Sequence, residues 1–97
     1  MLVALERFDL RIPGCGSLKE KRHVVKALVS GIRSKFNVSV AEVDHHDLWQ
    51  RTTLAVSVVA QEAYHARKVM HEVARFIEWH PAVETIDSEL SLHYPDD

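Results

Sequence analysis

Apolar and polar residues alternate near the start of the chain. Phe8, Leu10 and Ile12 fall on one side, and Arg7, Asp9 and Arg11 on the other. That period of two predicts a strand over residues 2–12. Val3 and Leu5 have the opposite parity, so the strand is either buried on both faces near its start or bulged near Glu6. Pro13-Gly14-Cys15-Gly16 stops it. The period then changes. Leu18, Val25, Leu28, Val29, Ile32 and Phe36 recur at helical spacing and form one apolar face. Ser17, followed three residues later by Glu20, makes a capping box at the start of this helix. Asn37 is the expected left-handed stop.

The second half repeats the scheme. Residues 38–43 form a short strand, 44–51 a loop or hairpin end, and 52–60 a strand with Leu54, Val56 and Val58 on one face. Ala55, Ser57 and Val59 occupy its other face. A second helix spans about residues 62–78, with Ala63, Ala66, Val69, Met70, Val73 and Ile77 inward. Pro81 lies beyond its end. A last strand covers about 84–93, with Ile86, Leu90 and Leu92 inward, followed by a tail, Tyr94 to Asp97. Two strand–helix–strand halves predict an α/β (α+β) fold: a ferredoxin-like βαββαβ sandwich, a four-stranded antiparallel sheet with two helices on one face. Residues 1–97 read as a single domain.

Composition trims the options. The chain is 46% hydrophobic but only 7% aromatic, so its core is aliphatic. Its apolar runs are shorter than the roughly 20 residues that cross a bilayer, and no leader pattern opens it. Cys15 is the single cysteine, which excludes an internal disulfide and any CxxC site. A cytoplasmic protein without membrane contact is expected.

Charge changes the picture more. The net charge is −2, yet residues 1–36 carry eight basic and three acidic residues, and residues 37–97 four basic and eleven acidic. On a helical wheel Lys19, Arg22, Lys26 and Arg33 fall in one stripe beside the apolar face, with Lys21 and Lys35 on the other flank. Ser17, Lys19, Lys21, Arg22, Lys26 and Arg33 are therefore candidate anion or nucleic-acid contacts at a helix start that favours phosphate. The alternative is a solvated face partly paired with Glu72, Glu78 or the last strand. Base stacking on the sheet is not expected, because residues 53–58 lack aromatics and Phe8 belongs to the inward set. No DNA sequence readout is expected either.

Other candidates are weaker. Asp44-His45-His46-Asp47 has metal-ligand chemistry, but neighbouring residues rarely converge on one ion. Cys15 precedes a helix but has no base at a recognisable spacing. No nucleophile elbow is present. No catalytic residue, metal or cofactor is expected. Trp49, with Asp47, Leu48, Gln50 and Arg51, forms a loop that either plugs the core or anchors a partner.

Three strings are more specific: Ser17-Leu18-Lys19-Glu20-Lys21-Arg22, then Phe36-Asn37-Val38-Ser39-Val40-Ala41-Glu42-Val43, then Asp47-Leu48-Trp49-Gln50-Arg51. In this order they resemble the YlxP-like family of small bacterial proteins, a domain of unknown function (number five hundred and three). The resemblance implies a ferredoxin-like fold. It implies no known enzymatic activity. The family's genes often neighbour translation initiation factor two and ribosome-binding factor A, which implies a role near RNA or the ribosome. His46 and Cys15 depart from the family pattern, which argues further against metal and thiol chemistry.

The expected function is a non-enzymatic RNA- or ribosome-associated factor using the basic first helix. A homodimer pairing through the open sheet face (Ala41, Val43, Ala55, Ser57, Val59) is the alternative. A small anion- or phosphoester-binding domain using the 13–22 turn comes third.

Overall fold

A computed structural model describes residues 1–95. The elements are β1 (Leu2–Arg11), α1 (Leu18–Lys35), β2 (Ser39–Asp44), β3 (Arg51–Ala60), α2 (Ala63–Glu78) and β4 (Glu84–His93). The strands form one sheet in the order β2-β3-β1-β4, with antiparallel neighbours throughout. Both helices cover the same face. This is the ferredoxin-like α+β sandwich that the periodicity predicts. Asp96 and Asp97 of the predicted tail lie outside the described residues.

The inner face of β1 is Leu2, Ala4, Phe8 and Leu10, all at most 1% exposed. They pack with Leu54, Val56, Leu28, Ile32, Ala66, Met70, Val73 and Ile77 into one aliphatic core. Glu6 belongs to the same inner row and is also buried. The parity conflict near Glu6 is thereby resolved without a bulge: β1 pairs with β3 in unbroken register from Leu2↔Ala60 to Arg11↔Arg51. Val3 and Leu5 lie on the uncovered face, Leu5 39% exposed.

Two other expectations fail. Asn37 is not left-handed. The helix stops because Phe36 turns extended and sets its ring edge-on to Phe76, with ring centroids 5.9 Å apart. The one non-glycine residue with positive φ among those described is His45, at 63°. Ile86 is not inward: the β1–β4 register shifts between Asp9 and Leu10, and Ile86 is left 43% exposed. Gly31 lets the helices approach, since a Cβ there would lie 2.9 Å from the Phe76 ring.

Candidate nucleic-acid interface

The start of α1 is built as its sequence suggests. Ser17 Oγ accepts from the Glu20 N–H at 3.1 Å, and the Glu20 carboxylate turns back to accept from the Gly16 N–H at 2.9 Å. The two bonds close the capping box. Ser17 serves as the cap, and the turn before it lines a small hollow of about 200 Å³ with Glu20 and Val24. Cys15 is buried, its thiol pointing to the Ser17 carbonyl at 3.4 Å.

The stripe divides. Lys19, Arg22 and Lys26 are exposed and form no ion pair among the described residues. The pairing with Glu72, Glu78 or β4 that would explain them as a neutralised face is absent there. Arg33, at the far end, donates to the Val40 carbonyl at 2.9 Å and lies over edge strand β2. This places the stripe alongside β2. From Lys19 to Arg33 it runs about 21 Å at the helical rise.

Lys21 is a correction. It is 2% exposed, on the buried side of α1 rather than on a solvent flank. Its ammonium donates to the carbonyls of His45 and His46, the latter at 3.2 Å, and pairs with Glu42 Oε2 at 3.1 Å. Glu42 also accepts from the buried Thr52 hydroxyl at 2.6 Å. A buried cation persists only when its donors are filled in this way. Lys21 is a clamp on the β2–β3 loop and is unavailable to a ligand.

The same loop is held from the uncovered side of the sheet. Thr53 is 3% exposed and donates its hydroxyl proton to Asp9 Oδ1 at 2.7 Å. His45 Nδ1 lies 3.0 Å from that hydroxyl oxygen. Thr53 has only one proton to give, so Nδ1 is the donor and His45 carries its hydrogen there. Arg7 bonds the second oxygen of Asp9 and reaches Asp87 at 3.3 Å. Ile12 N–H to Gln50 carbonyl, at 2.9 Å, and Gln50 Nε2 to Cys15 carbonyl, at 3.3 Å, tie the end of the loop to the turn before α1. Leu48 and Trp49, each 49% exposed, are therefore displayed on a fixed backbone beside the first turns of α1.

Two carboxylates on β1 illustrate the two faces. Burial raises the Glu6 carboxyl above its ordinary value, a hydrogen bond with Ser88 opposing in part. Asp9 is lowered, first by the Thr53 hydroxyl and then by Arg7 and the charge of Arg51.

Asp44, His45, His46 and Asp47 do not converge. Asp44 accepts from the His45 N–H, the His45 ring goes to Thr53, and His46 lies 3.9 Å from Glu42. Among the described residues no group of three or more such side chains could hold a metal ion. The uncovered sheet face carries no aromatic ring on β1 or β3, with Val43 and Val59 exposed beside Ala41, Ala55 and Ser57. No helix among the described residues is long and apolar enough to cross a membrane.

A further feature is not legible in the periodicity. A hollow of about 710 Å³ lies between α1 and α2, lined by Lys35, Phe36, Phe76, Arg75, Trp79 and others. Trp79 is 79% exposed there. The hollow's signal in the sequence is Trp79, a large aromatic residue two positions before Pro81.

Residues 3–90 match the family described as "Protein of unknown function (DUF503)". The chain belongs to the DUF503 family. It is also similar to "Uncharacterized protein YlxP" of Bacillus subtilis (strain 168), with 39% identity over 83 residues, covering 86% of this chain and 90% of that protein. The match spans α1, the clamped loop and all of β3. The family's description assigns no function.

Proposed function

We propose that this DUF503 protein is a non-enzymatic binding module that contacts the phosphate backbone of structured RNA, ribosomal RNA being the main candidate, through α1. One observation carries the reading: Lys19, Arg22 and Lys26 are exposed, aligned and without ion pairs among the described residues. Cations in the first turns of a helix oppose its dipole. The fold gains nothing from clustering them, whereas a polyanion gains at each one. The overall charge of −2 keeps the protein from binding polyanions over its whole surface, so contact is confined to this side.

The test is sedimentation of the tagged protein with ribosomal subunits and with total RNA. It should travel with them at low salt and leave them at high salt, and Lys19→Glu/Arg22→Glu/Lys26→Glu should remain free at both. A protein that stays free at low salt, or a triple variant that binds like the parent, contradicts the reading.

A second reading, self-association through the uncovered sheet face, is favoured by the exposure of Val59 (68%) and Val43 (51%) beside small neighbours. Light scattering across a concentration series decides it, and a monomer at every concentration removes it.

A further inference from the structure

Trp49 stands on a loop built with unusual care for a surface segment. Lys21 holds its backbone from the helix side through the His45 and His46 carbonyls. The His45–Thr53–Asp9 chain holds it from the other side. His45 accepts a left-handed backbone, φ 63°, to satisfy both anchors. Yet the tryptophan so positioned is 49% exposed and does not belong to the buried core. Fixing the backbone that carries an indole lowers the ordering cost that a partner would otherwise meet on binding.

Arg51 supplies the second observation. It lines a shallow hollow of about 400 Å³ with Asp47, Leu48, Trp49 and Gln50. Among the described residues its buried Nε has no hydrogen-bond partner. It sits directly across from Arg11, a like-charged cross-strand pair that destabilises a sheet. An anion in the hollow would meet the guanidinium of Arg51, adding to the charges of Asp9 beside Arg51 and Glu84 beside Arg11. Asp47 is the one carboxylate of the hollow.

We propose that Trp49 stacks on an unpaired base of the bound RNA, and that Arg51 takes the phosphate next to that base. This rests on the RNA reading above and narrows it to single-stranded or bulged segments. Indole faces suit any base, so the contact tolerates sequence while rejecting a continuous duplex. The cations of α1 and Arg51 then follow the backbone on either side of the stacked base.

Trp79→Phe leaves Trp49 as the only tryptophan, since the chain has two. In that background a short oligouridylate should quench Trp49 fluorescence at the concentrations where filter binding saturates. Trp49→Ala should weaken oligouridylate binding by about five- to a hundredfold, Trp49→Phe should retain most of the affinity, and binding of a blunt RNA duplex should change little in either. Arg51→Gln should weaken the single strand only. Unchanged oligouridylate affinity in Trp49→Ala, or silent fluorescence while RNA binds, overturns the stacking and leaves the phosphate reading standing. Quenching by a protein partner and not by RNA overturns it as well. Failure of both duplex and single strand to bind the parent removes both readings together.

Discussion

Lys19 and Lys21 are two residues apart on one helix and live in opposite worlds. Lys21 is buried, with two carbonyls and the Glu42 carboxylate around its ammonium. Lys19 is exposed and, among the described residues, has no ionic partner. The same holds for Arg22 and Lys26. The comparison shows that a basic helix can contain two devices. One cation assembles the loop, and its neighbours face solvent with no ionic partner among the described residues.

Removing the inner cation should have the largest effect. Lys21→Ala removes the cation that joins Glu42 to two loop carbonyls, leaving Glu42 with the Thr52 hydroxyl as its hydrogen-bond donor, and should cost about 3–5 kcal/mol in urea unfolding. A variant as stable as the parent would mean that Lys21 is not the clamp. Next comes the opposite anchor. Thr53→Val preserves shape but deprives Asp9 and His45 of their shared hydroxyl, and should cost about 1–3 kcal/mol. It should also loosen the loop, read as faster amide exchange over residues 45–50 than in the parent.

Carboxylates give a smaller effect with a sign. The Glu6 carboxyl titrates higher in the folded state than in the unfolded chain. Its contribution is therefore intact below the unfolded value and is lost as pH rises through the folded one. Glu6→Gln should raise the unfolding midpoint at neutral pH, with the difference vanishing in acid. Asp9 runs the other way: its contribution is present above its unfolded value and fades as pH falls through the lowered folded one. Asp9→Asn should therefore destabilise at neutral pH and matter less in acid. Smallest of all, Lys19→Gln, Arg22→Gln and Lys26→Gln should each shift stability by no more than about 0.5 kcal/mol. That contrast with Lys21 is the sharpest form of the comparison.

What the chain reveals on its own follows range in sequence. The six elements, the Ser17–Glu20 cap and the apolar faces of both helices are local patterns, and the structure keeps them. The helical wheel puts Lys21 on a flank although its buried position is legible. Leu18, Lys21, Val25, Leu28 and Ile32 follow a three-four-three-four spacing, which puts the lysine in the buried row. Its identity as a cation obscured that, because the partners that make burial tolerable, Glu42 and the loop carbonyls, lie more than 20 residues away. Glu6 hid in an inner row of β1 for the same reason. The His45–Thr53–Asp9 chain joins three separate elements, and no local rule brings them together. The left-handed residue moved from Asn37 to His45 because anchoring the loop required it there, while Phe36 had an aromatic partner to meet.

The central claim is that the outer cations of α1 exist for phosphate and the inner one for the fold. The most direct measurement is the salt dependence of RNA affinity for the parent and for Lys19→Gln/Arg22→Gln/Lys26→Gln. Each lost phosphate contact should flatten the slope of log affinity against log salt by about 0.7–0.9. The account predicts a triple variant that is as stable as the parent to within about 1.5 kcal/mol, with a slope flatter by about two to three. Equal slopes for the two proteins would contradict it.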